Sequence, residues 1–127
     1  MNNGRIKSFT DLNAWKFGHK LVLEVYKLTS QFPKEEKYAL VDQMKRAAVS
    51  VTSNIAEGFS RQFYLEKTQF YSMAQGSLTE LQNQLLIAKD VGYLNKESFE
   101  KLAKLSIMVH KLINGLIKSS KSVSHNS

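Results

Sequence analysis

Catalysis or metal binding in this chain would have to be built from three histidines, His19, His110 and His125, and from carboxylates such as Glu57 and Glu80. A carboxylate-bridged metal pair inside a helical bundle draws on Glu-x-x-His, because ligands three residues apart share one helical face. Three residues after Glu57 and Glu80 stand Ser60 and Asn83, and none of the histidines pairs with either carboxylate. Cysteine is absent, which removes both a thiol nucleophile and a disulfide framework. The phosphate-binding Gly-x-x-x-x-Gly-Lys loop, the Gly-x-Ser-x-Gly elbow and the helical His-Glu-x-x-His are all missing. Small helical nucleases place a His little more than one turn after an Arg, and none of Arg5, Arg46 and Arg61 has such a partner. His19 and His110 read as solvated residues on polar flanks. The expectation is a protein without a catalytic centre, a metal or a cofactor, with an enzyme using Glu57, Glu80 and Arg46 as the catalytic alternative.

Charge is the more informative chemistry. Eighteen Lys and Arg against eleven Asp and Glu give a net charge of +7. Residues 1–34 hold six basic and two acidic side chains, residues 35–95 six and seven, and residues 96–127 six and two. Both ends are therefore basic around a neutral middle, a pattern that attracts polyanions at long range. On a helical wheel Lys16, Lys20 and Lys27 fall within roughly 40° of one another, and so do Lys104, Lys111 and Lys118. No aromatic residues interleave these lysines as stacking platforms, so the expected ligand is the phosphate backbone of RNA or DNA rather than its bases. The alternative is a lysine-rich solvated surface on a structural protein-interaction module.

Helices must position these rows. The 127 residues suffice for one domain with one core. No apolar h-region opens the chain and no apolar run approaches the length of a membrane span, so a soluble, cytoplasmic protein is expected, with no membrane partner. One proline and six glycines leave few breaks. Thr10 and Asp11 offer N-capping before a segment from Leu12 to Gln31, which Phe32 and Pro33 stop. Glu35 and Glu36 open a second segment that runs to Glu57 before Gly58. A third runs from Tyr64 to Val91 and ends at Gly92, and a fourth runs from Lys96 to Lys118. Each carries one apolar stripe: Phe17, Leu21, Val25, Leu28 and Phe32; Leu40, Met44, Ala47, Ala48, Val51 and Ile55; Phe70, Ala74, Leu78, Leu81, Leu85 and Ala88; Leu102, Leu105, Val109, Leu112 and Leu116. Four such stripes and short loops predict an all-α, antiparallel up-down-up-down four-helix bundle over residues 10–118. Residues 1–9 form an N-terminal arm, and the Ser- and Lys-rich tail 119–127 is expected to be disordered.

Two further rows remain. Trp15, Val22 and Tyr26 form a second apolar row on the first helix, roughly 120° from its core stripe. Such a row is covered either by neighbouring helices or by another subunit, for which Trp and Tyr are fitting anchors. On the second helix Gln43, Arg46, Ser50, Asn54 and Glu57 align beside small residues, and with Gln69, Gly76 and Glu80 of the third they predict a structural hydrogen-bonded layer.

The run Gln43, Lys45, Arg46, Ala47, Ala48, Ser50 followed by Ser53, Asn54, Ile55, Ala56, Glu57, Gly58 resembles the signature of the bacterial four-helix bundle family named for proteins encoded in 23S rRNA intervening sequences. Phe9, Leu12 and Trp15, then Phe32, Pro33, Glu36 and Tyr38, then Ala74, Gly76, Ser77 and Glu80, and finally Gly92, Tyr93 and Leu94 extend the resemblance over residues 9–116. Thr52 departs from it, standing where many members have Pro, and implies a straighter second helix. The resemblance implies a homopentamer around a central channel and no known enzymatic activity. It also implies kinship with the accessory protein of diversity-generating retroelements, a basic pentamer that binds a reverse transcriptase and nucleic acid.

Overall fold

Helices dominate because apolar residues recur three and four apart with almost no Gly or Pro to interrupt them. The computed structural model describes residues 5–126, with side chains described as far as Lys121. Among the described residues there are four α-helices, α1 (Asn13–Thr29), α2 (Leu40–Ser60), α3 (Tyr64–Asp90) and α4 (Lys96–Asn126), with short 3-10 turns at Phe9–Asp11 and Lys34–Glu36. Among the described residues there is no strand. Each helix packs against its two neighbours in a closed ring, α1 on α2, α2 on α3, α3 on α4 and α4 on α1. This is the antiparallel four-helix bundle.

Leu21 and Val25 of α1, Met44, Val51 and Ile55 of α2, Leu78, Leu81 and Leu85 of α3, and Leu102, Val109 and Ile113 of α4 are fully buried along the axis. The stripes sit slightly rotated from the expected ones. Tyr71 rather than Phe70, and Ile113 rather than Leu112, point inward.

The helix ends differ from expectation in three places. Thr10 and Asp11 do not cap α1. Instead Ser8 and Asp11 form a capping box around the first 3-10 turn, and α1 starts two residues after Asp11 behind Leu12, without a side-chain cap. Glu36 stays outside α2, yet its carboxylate accepts the Leu40 N–H at 3.4 Å and the Tyr93 hydroxyl at 2.8 Å, tying the α2 entry to the α3–α4 turn. The helix-start signal of Glu35 and Glu36 is thus real but displaced by one turn. At the far end α4 continues past Lys118 to Asn126. Ser119 and Ser120 support this extension, donating to the Leu116 carbonyl at 3.2 and 2.8 Å. Met1 to Gly4 of the expected arm and Ser127 of the tail lie outside the described residues.

Gly92 ends α3 as expected. Its φ of +88° lies in the region that only glycine enters freely, and the Tyr93 and Gly92 N–H groups close onto the Ala88 and Lys89 carbonyls at 2.8 and 3.0 Å. Gly58 has another role: it is buried inside α2, where an added Cβ would lie 2.6 Å from Tyr71 Cε1. The glycine lets the Tyr71 ring lie directly on the α2 backbone.

Candidate functional site

The two lysine rows stand on adjacent helices. Lys16, Lys20 and Lys27 are exposed on α1, and Lys104, Lys111 and Lys118 are exposed on α4. α1 and α4 share an edge of the bundle, pinned by Lys101 Nζ donating to Glu24 Oε1 at 3.3 Å. Among the described residues none of the six row lysines takes part in an ion pair. Their positive charge therefore faces solvent without a direct ion-pair partner.

The asymmetry extends to whole helices. α1 and α4 together carry nine basic and three acidic side chains, whereas α2 and α3 carry four and five. The fold thus converts a sequence with basic ends into a bundle with one basic side, because the first and last helices are neighbours. A lysine-rich surface of this kind has the chemistry for phosphate contacts.

The second apolar row of α1 does not form a continuous exposed patch. Val22 is buried within the chain's own core, which removes it as an anchor for another subunit. Trp15 is half-buried, edge-on to Phe9 with ring centroids 5.5 Å apart and stacked on His19 at 4.7 Å. Tyr26 is 45% exposed, with the Lys45 ammonium 4.7 Å from its ring centre. The neighbouring α2 and the N-terminal turn cover most of what sequence periodicity left open.

The polar layer is narrower than its sequence row. Asn54 Nδ2 donates to the Ser50 carbonyl and hydroxyl oxygens at 2.8 and 3.1 Å, and Ser50 Oγ lies 2.7 Å from Ser77 Oγ across the α2–α3 seam. Ser50 and Asn54 thus form the seam contact, with Ser77 as their partner. Gln43, Arg46, Glu57 and Glu80 are exposed instead, as are Gln69 and Gly76. Arg46 pairs with Asp42 at 3.1 Å, Arg61 pairs with Glu57 at 2.9 Å, and Glu80 accepts from Gln84 at 3.3 Å. Each is a pair within one turn, so these charges stay on the outside of their helix and hold no layer together. Among the described residues no group of three His, Asp or Glu side chains comes together as a metal site.

The outward face of α3 was not anticipated. Leu65, Met73, Leu86 and Ile87 are 67%, 54%, 46% and 43% exposed, and Ser72 and Gly76 leave the helix flat between them. The signal was present in the sequence: these apolar residues fall off the α3 stripe, and a helix apolar on both sides has a second surface to cover.

No helix among the described residues is long and apolar enough to cross a membrane. Among curated proteins none matches the chain. In fold it is similar to the crystal structure of a protein of unknown function from the S23 ribosomal protein family of Bacteroides thetaiotaomicron. That match has a TM-score of 0.76 at 20% identity and covers 83% of this chain and 95% of the other. The model of the 23S rRNA-intervening sequence proteins matches residues 10–115, spanning all of α1 to α3 and most of α4. With the four-helix ring, the Ser50–Ser77 seam and the Gly92 turn resting on residues inside that match, the chain belongs to the 23S rRNA-intervening sequence protein family.

Proposed function

We propose that the protein is a non-enzymatic, oligomeric helical scaffold that holds nucleic acid, or a protein working on nucleic acid, through the α1–α4 face. The observation that carries this reading is the segregation of charge, with nine basic side chains against three acidic on the two adjacent helices. RNA and DNA are both compatible with a surface of flexible lysines, which contact phosphates as point charges. The resemblance to retroelement accessory proteins makes a reverse transcriptase the protein partner to test first. A pentamer, carried over from the same resemblance, would repeat the basic face five times on one particle and multiply a weak contact.

Filter binding to RNA and DNA at low salt tests the reading. Wild-type protein binds both with little sequence preference. Reversal of Lys16, Lys20 and Lys27 to Glu, or of Lys104, Lys111 and Lys118 to Glu, abolishes binding while helicity is retained, because all six side chains are exposed. No binding by wild type, or equal binding after both triple reversals, overturns it. The exposed apolar face of α3 favours a second reading, a protein-interaction module with incidental charge, and that reading takes over in this event.

A further inference from the structure

At the end of the bundle where the α2–α3 loop, the C-terminal part of α4 and the N-terminal arm meet, there is a half-open cavity of about 560 Å³. That volume falls in the range of small-molecule sites, about 300 to 1,000 Å³. Its walls include the rings of Phe59, Phe63 and Tyr64 and the side chain of Leu116. Among the described residues Lys67 is the single charged one of the lining. Its ammonium donates to the Phe59 carbonyl at 2.7 Å and to the Gly58 carbonyl at 3.3 Å, which fixes it over the last turn of α2. An ammonium has three N–H groups, so one is left over. Among the described residues Lys67 takes part in no ion pair, and burial pushes its pKa down from 10.5. The site is a half-buried cation that, among the described residues, makes no ion pair, at the edge of an aromatic cavity.

We propose that this cavity binds a small amphipathic carboxylate, its head group paired with Lys67 and its hydrocarbon body lying against Phe59, Phe63 and Tyr64. Ser119 and Ser120 already donate their protons to the Leu116 carbonyl, so Lys67 dominates head-group choice and selects for an anion. The proposal is independent of the basic α1–α4 face.

Decanoate, kept below micelle formation, is the probe, titrated calorimetrically into the full chain beside decanol and decyltrimethylammonium. Decanoate binds at one site per chain, decanol more weakly, and the cation not at all. Lys67→Met keeps the aliphatic stem and weakens decanoate by about ten-fold or more, the loss of one charge-assisted hydrogen bond. Because Lys67 also caps α2, Phe63→Asp serves as a second variant. Phe63 is 63% exposed, so the fold tolerates the change, and the added carboxylate at the mouth repels decanoate. Absence of decanoate binding, equal binding of the three probes, or unchanged affinity in Phe63→Asp overturns the proposal.

Discussion

At the scale of single residues, much of the stabilising chemistry lies one turn away from where sequence signals place it. Asp11 carries the clearest case. Its carboxylate accepts the Lys7 and Ser8 N–H groups at 2.9 and 3.0 Å, and these bonds hold its pKa below the usual 3.8. A carboxyl whose folded pKa is depressed contributes stability that is present above its unfolded value and lost as pH falls through the folded one. Asp11→Asn should therefore melt below wild type at neutral pH, with the gap closing as pH falls below about 4. Thermal melts by circular dichroism at both pH values check this, and a gap that persists at low pH would count against it. Sequence marked Asp11 as a cap and missed its partner. Ser8 precedes the apolar periodicity, so nothing in the pattern distinguishes a capped 3-10 turn from a polar arm.

Elements were legible where period and stop signals agree. The apolar stripes at 3.6-residue spacing gave all four helices and Gly92 gave the α3 end, since a positive φ leaves little choice of residue. Gly58 shows the limit. It read as a terminator, whereas it is buried inside α2 against the Tyr71 ring, information held by a residue thirteen positions away. The polar row of α2 failed for a related reason, because angular alignment cannot tell Ser50, which finds Ser77 across the seam, from Glu57, which turns back to Arg61. Gly58→Ala should destabilise by about 1 to 3 kcal/mol, the usual cost of forcing an extra group into a packed core. Tyr71 is 2% exposed and cannot swing aside. Denaturant titration measures this, and an Ala variant as stable as wild type would mean that α2 and α3 separate freely.

For the whole molecule two surfaces count, the basic α1–α4 side and the apolar outer face of α3. The first was legible from the lysine spacing and the ring order of helices. The second was obscured because the α1 row Trp15, Val22 and Tyr26 offered a stronger aromatic signal, and the chain's own packing absorbs most of that row. If subunits meet on α3, Met73→Glu together with Leu86→Glu should bury unpaired charge in the assembly and dissociate it without loss of helix. Light scattering should then fall from about five times 14.5 kDa to the mass of one chain. A wild-type monomer would refute assembly, and an intact double variant would move the interface elsewhere.

The salt dependence of binding to single-stranded RNA tests the central claim most directly, since it counts neutralised phosphates. Counterion release gives a slope of log affinity against log salt of about −0.7 per phosphate on a single strand. Replacing Lys16, Lys20 and Lys27 by Gln should make the wild-type slope shallower by roughly two units if each lysine neutralises one phosphate. A slope unaffected by that change, or affinity that does not respond to salt, would contradict a phosphate-binding α1–α4 face.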